Sequence, residues 1–433
     1  MTPQSHFFVM APITQGRESE LRALLDSMNG APGHARPDNP LIPFGLFDTV
    51  HYARLLIVDD QTLDDTLVYG GPRPDHRPAL AFAGEVDGDL DTFFAQVAAR
   101  AAPGVRALFA CCDGFATDGD LAGSLRRHHV PAAASYVNWV GRTVVQVREE
   151  AALFAAVRQH LRREWATLVD EPAHRVHARM RALVWEDRAA GRLTLSPEAP
   201  TPLGWKVRTL LHRFGAPLLL LIASPVVVPL AIAGAIALRR MERMDPEVCP
   251  RTPPAHVAAL AAVEDHDVTN SFSAMGSLKP GLVRRWATAS LLWVINFAAR
   301  HVYTRGRLAR VRTIHFARWV FLDGKTRVIF LSSYDGSLES YMDDFINKVG
   351  FGLNLSFSHG IGYPRTTWLA FGGSSDERKF KEYLRRHQIP TQVWYKAYPA
   401  LTTLDLERHA LVRQGLESPQ LGGREADEWV ELL

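Results

Sequence analysis

Cysteine is scarce. Cys111, Cys112 and Cys249 are the only three in the chain, and no pair has the CxxC spacing. That gives no disulfide framework and leaves a reducing compartment as the default. The opening stretch MTPQSHFFVMAPI has neither a basic segment nor a long apolar one, so no signal peptide is expected. An excess of either charge is also missing: 49 Lys and Arg stand against 46 Asp and Glu, for a formal net charge of +3. With no basic tract interleaved with aromatic residues, nucleic acid is not an expected partner. Apolar residues are plentiful. At 433 residues and 47% hydrophobic content the chain can hold two cored domains and a connector.

The chain also repeats itself. LRRHHVP at Leu125 to Pro131 returns as LRRHQIP at Leu384 to Pro390, and TVHYAR at Thr49 to Arg54 returns as TIHFAR at Thr313 to Arg318. Asp87-Gly88 with Leu90 matches Asp335-Gly336 with Leu338, and VRQHL at Val157 matches VRQGL at Val412. Four blocks in one order make two copies of a unit. The predicted organisation is 1–163 for the first copy, 164–267 for a helical connector, 268–420 for the second copy and 421–433 for a tail.

Within the first copy HFFVMAPI reads as a strand. In ESELRALLDSM, residues Leu21, Leu24, Leu25 and Met28 share one helical face. HYARLLIVDD and PALAFAGEV are β-rich runs separated by GGPRPD, DLDTFFAQVAARA is a second helix and ASYVNWVG a last strand. The second copy repeats the order with NSFSAMG, a helix from Leu282 to Tyr303, TIHFARWVFLD, TRVIFLSSYDG, SLESYMDDFI and QVWYKAYPA, and adds a helix in DERKFKEYLRRH. The order β-α-β-β-α-β is that of a ferredoxin-like unit. The predicted fold class is α+β, with two tandem ferredoxin-like repeats pairing as an intramolecular barrel.

Two such units in one chain resemble the dimeric α+β barrel superfamily. Duplicated members of it include haem enzymes of the dye-decolourising peroxidase and chlorite dismutase type. The resemblance rests on topology and duplication and covers both repeats. It implies haem as cofactor, with a proximal histidine and a distal aspartate in a GxxDG motif. GEVDG at Gly84 to Gly88 has that pattern, whereas SSYDG at Ser332 to Gly336 lacks its first glycine. Carried onto this chain, the axial ligand and metal-binding residue is His359 in SHGIGYPRT, with Arg365 nearby, and His315 is the alternate ligand. Arg318 and Asp335 would assist peroxide cleavage.

The residues themselves allow other roles. Strand alternation sets His315 with Ala317 and Trp319, and Arg318 with Phe316 and Val320 on the opposite face. An arginine on an apolar face needs a partner, for which Asp335 is placed. Asp-Gly ahead of Ser337 equally suits a turn and helix cap. His174 and His177 have a spacing that can bind metal but lack a carboxylate, and VEDHDVTN around His266 reads as a hydrated linker. Aromatic residues are dense in the second copy, from Trp319 and Tyr334 to Trp394 and Tyr398, as a cofactor pocket or a packed core would require.

The connector holds Phe214 to Leu238, FGAPLLLLIASPVVVPLAIAGAIAL, without a charge. It is long enough to cross a bilayer. A single crossing would separate the two copies, so the expectation is a bent, re-entrant or in-plane anchor, with Pro225 and Pro229 supplying the bend. Lys206, Arg208 and Arg213 precede it and Arg239, Arg240 and Arg243 follow, which places both ends on the cytoplasmic face. The helix containing WATASLLWVINFAA is apolar nearly all round, unlike its counterpart in the first copy, and suits docking on lipid, on the anchor or on protein. Two functions follow: a membrane-anchored haem peroxidase acting on an apolar substrate, or a non-catalytic barrel that binds an apolar ligand or protein partner at the membrane.

Overall fold

Strands form where β-branched, aromatic and small apolar residues run together. The computed structural model describes every residue except Arg305, Arg307 and Ala309. The first copy supplies β1 (Gln4–Pro12), α1 (Glu18–Ser27), β2 (Val50–Val58), β3 (Ala79–Asp87), α2 (Leu90–Arg100) and β4 (Ala132–Val137). Helix α1 buries Leu21 and Leu25, and α2 buries Phe93, Phe94 and Val97. Next come α3 (Val144–Leu168), which overruns the expected boundary at 163, α4 (Ala173–Ala189) and α5 (Leu203–Met244). The second copy follows as β5 (Thr269–Ser277), α6 (Leu282–His301), β6 (Ile314–Leu322), β7 (Arg327–Asp335), α7 (Leu338–Phe357), α8 (Glu377–His387) and β8 (Val393–Lys396). Helices α9 (Thr403–Glu417) and α10 (Gly423–Val430) close the chain and share a cluster with α3 and α4 through Val157, Met180, Leu416 and Trp429.

The principal elements of each copy follow the order β-α-β-β-α-β, with added helices before the last strand, but the strand order is not that of a self-contained unit. One sheet runs β1-β3-β2-β8, continued by short strands at Asn29–Ala31 and Gly33–Ala35; the other runs β4-β6-β7-β5. The last strand of each copy pairs antiparallel with the second strand of the other, Tyr395 opposite Ala53 and Tyr136 opposite Ala317. Just upstream, each copy still holds its own first strand: Val130 N donates to Phe8 O at 2.8 Å and Ile389 N to Ser273 O at 2.7 Å. The repeated phrases end at these crossing points. Pro131 and Pro390 carry no N–H, so a proline suits the residue where one ladder is left and the next begins. Phe8, Leu56 and Ala81 of the first copy pack between the sheets against Val320, Ile329 and Leu331 of the second.

Helix α5 is long and apolar enough to cross a membrane. Its backbone stays helical through Pro225 and Pro229, with one π turn at Leu211–Gly215. The two prolines do not break the helix: each removes one backbone donor, and the remaining bonds carry it through. Both ends are tied to the same body. His212 Nδ1 lies 2.7 Å from His301 Nε2 at the end of α6. At the other end Asp245 takes hydrogen bonds from Arg284 at 2.5 and 3.0 Å and from Lys279 at 3.0 Å. Between these ties Leu219, Leu221, Ile222, Val226 and Leu230 are exposed, as are Trp286 and Val294 of α6.

Candidate functional site

Sequence alternation placed His315 and Arg318 on opposite faces. A register shift between Ile314 and Phe316 breaks that alternation, and the same shift occurs between Val50 and Tyr52 in the first copy. A bulge of this kind re-aims side chains. His315 and Arg318 consequently both reach residues of the opposite sheet.

The result is a pair of buried relays. His51 Nε2 donates to Asp87 Oδ1 at 2.9 Å, and its Nδ1 lies 2.8 Å from the Tyr398 hydroxyl. His315 Nε2 donates to Asp335 Oδ1 at 2.7 Å, and its Nδ1 lies 3.2 Å from the Tyr52 hydroxyl. Each aspartate also anchors the helix that follows the last strand: Asp87 Oδ2 accepts Val144 N at 2.8 Å, and Asp335 Oδ2 accepts Thr403 N at 2.7 Å. Burial opposes ionisation of Asp335, yet His315 and the Thr403 hydrogen bonds hold its carboxyl below the usual range.

Arg318 finds its carboxylate in Glu85 of the first copy, at 3.2 Å, and not in Asp335. Its Nη1 also donates to Phe7 O at 3.0 Å and Gly84 O at 2.6 Å. The equivalent Arg54, fully buried and stacked on Trp394, donates to Phe272 O, Ser273 Oγ, Ser332 O and Ser333 Oγ. Burial alone would raise the Glu85 carboxyl, but Arg318, His6 and Arg54 hold it down at about 2. Burial lowers Arg54 to about 9, against the opposing pull of the Glu85 carboxylate.

These contacts account for the GxxDG pattern. A Cβ at Gly84 would stand 2.4 Å from Tyr52 O and 2.7 Å from the Phe7 ring, so only glycine fits there. Ser332 replaces it in the second copy, where its hydroxyl accepts from Tyr341 at 2.8 Å. Both oxygens of Asp335 are engaged within the protein, by His315, Thr269 and Thr403.

His359 follows α7. Its ring is buried and both nitrogens lack a hydrogen-bond partner. Burial, with Lys279 and Arg284 close by, lowers it to about 3, so it is neutral. An unpartnered neutral imidazole is a competent ligand. A haem, however, needs a slot of several hundred Å³, and the nearby cavity lined by Gly276, Phe330, Phe357, Gly360 and His387 measures about 30 Å³. As packed, that cavity is too small for a haem. Arg365 donates to Asp245 O at 2.9 Å and so belongs to the His359 neighbourhood, while Arg318, His315 and Asp335 belong to the inter-sheet core.

His177 is buried against Trp429 and bonded to Gly415 O at 2.9 Å, whereas His174 is exposed. Among the described residues no group of three metal-ligating side chains converges. The stretch around His266, expected as a hydrated linker, is a clasp: Glu264 takes Arg385 and Gln388, Asp265 takes Leu338 N, and Asp267 takes Lys396. Sequence reasoning missed Glu85 and Tyr52, although Glu85 lay within the quoted GEVDG, and named Tyr398 only among the aromatic residues of the second copy. No protein-family model matches this chain, and no curated protein matches it.

Proposed function

We propose that the protein is a monotopic, membrane-docked binding module in which the two repeats close into one α+β barrel. One observation carries this reading: the two ends of the apolar helix α5 are tied to the same folded body while its middle is bare. A helix whose ends both return to one body suits lying in the interfacial plane, with apolar side chains in the acyl region. The basic residues flanking both ends support a cytoplasmic side for both repeats. Strand exchange supports closure, because each sheet edge is continued by chain shared with the other sheet. The saturated hydrogen bonds of the two relays support a structural role for them, and the exposed faces of α5 and α6 support recognition of an apolar molecule or protein partner at the bilayer.

Membrane-impermeant thiol labelling in oriented vesicles tests the topology. Partly exposed Cys249 reports the end of α5, and E198C in a C249S background reports the start. Labelling of both from the cytoplasmic side is the expected result. Labelling from opposite sides would establish a crossing helix and overturn the reading.

A further inference from the structure

At the start of α5 a group of basic side chains gathers without acidic company. His212 Nδ1 lies 2.7 Å from His301 Nε2, which brings Arg208 and Arg213 of α5 near Arg300 of α6, and among the described residues none of these three arginines is paired with a carboxylate. Elsewhere the chain neutralises its arginines readily, as Arg17 with Glu20, Arg179 with Glu164 and Arg386 with Asp65 show. Arg208, Arg213 and Arg300 are exposed, and Phe214 and Leu211 beside them are exposed apolar residues. The cluster thus stands where an interfacial helix meets headgroups.

The far end of α5 has a matching arrangement. Buried Glu242 accepts Trp368 N at 2.9 Å and Leu369 N at 2.8 Å, and both of these residues have positive φ. This carboxylate holds a loop tip in a left-handed conformation that non-glycine residues rarely adopt. The tip presents Trp368 and Phe371 to the outside, beside exposed Arg240 and Arg243. Aromatic side chains and unneutralised arginines at both ends of an apolar helix are the complement of an anionic bilayer surface.

We propose, resting on the membrane-docked reading, that the protein selects anionic phospholipid bilayers, the cluster of Arg208, Arg213 and Arg300, drawn together by the His212–His301 contact, holding the headgroup phosphates. The bilayer is the occupant because the phosphate-binding groups and the exposed apolar residues form one face. Each basic residue near an anionic surface contributes about five-fold in affinity, the factor to which about 1 kcal/mol converts.

Flotation of the full chain with vesicles tests this. Binding to phosphatidylcholine vesicles is compared with binding to vesicles that also contain phosphatidylglycerol, for the wild type, R208E/R213E/R300E and R208K/R213K/R300K. The expected result is binding at least ten-fold tighter with phosphatidylglycerol, lost in the glutamate variant, kept in the lysine variant, and reduced by inorganic phosphate no more than by sodium chloride of equal ionic strength. Equal binding to both vesicles would overturn the selectivity while leaving membrane docking intact. Loss of preference in the lysine variant too, or displacement by phosphate beyond the salt effect, would also overturn it. No flotation with either vesicle would sink the docked reading and this inference together.

Discussion

The Tyr52 hydroxyl of the first repeat lies 3.2 Å from His315 Nδ1 of the second, and the Tyr398 hydroxyl of the second lies 2.8 Å from His51 Nδ1 of the first. The relays therefore cross between the copies in both directions. Phe316, equivalent in sequence to Tyr52, packs its ring 5.3 Å from His51 but has no hydroxyl, and Tyr398 supplies the missing donor. Polar groups buried in this way specify one pairing of the sheets, because any other leaves them unsatisfied. Removing His315 as H315A leaves the buried Asp335 carboxylate without its main partner and is expected to cost about 3–5 kcal/mol. Y52F should cost about 1–2 kcal/mol. Urea unfolding of the two single variants and the double variant checks both values and their coupling; an additive cycle would contradict the relay.

Glu85 serves two buried guanidiniums. E85Q removes the charge that compensates Arg318 and Arg54, and a loss of about 3–5 kcal/mol is expected. The apolar pair E85M/R318M should be far less destabilised than E85Q alone, since no uncompensated partner of that pair remains. Chemical denaturation of both variants tests the ordering, and the reverse order would show that packing dominates over charge.

Stability should fall steeply in acid. Glu85 is held at about 2 in the fold against an ordinary 4.5, so its contribution is complete above 4.5 and is lost as pH falls towards 2. His359 is held at about 3 against an ordinary 6.5, so the unfolded chain binds its proton first and stability drops through the window from 6.5 to 3. Within that window His359 contributes a slope of about 1.4 kcal/mol per pH unit. H359L should remove that part of the slope, and an unchanged slope between about pH 6 and pH 4 would refute the assignment.

E242Q should free the strained tip that carries Trp368, because a neutral amide is a weaker acceptor for two backbone N–H groups and Thr366. The expected outcome is a cost of about 1–2 kcal/mol and weaker quenching of Trp368 fluorescence by brominated lipid. Wild-type quenching in the variant would mean that the carboxylate does not set the tip.

Purified protein reconstituted with haem should give no Soret band, since the packing around His359 leaves no slot of the size required. A band that disappears in H359A would reinstate the haem reading and require that loop to open.

The amino-acid sequence by itself determined the copied units, the run of strands and helices within each and the long apolar helix, because these depend on local periodicity and composition. It did not determine the exchange of last strands, since a strand's pattern of buried residues is the same whichever sheet it joins. The turn of His315 towards Tyr52 depended on a bulge, which changes register without leaving a mark in alternation. Arg318 was legible as a residue that needs a carboxylate, but whether Glu85 or Asp335 supplies it is decided by which sheet faces which. The path of α5 was decided in the same way: two prolines in an apolar run permit a bend, and only the ties at His301 and Arg284 fix where its ends lie.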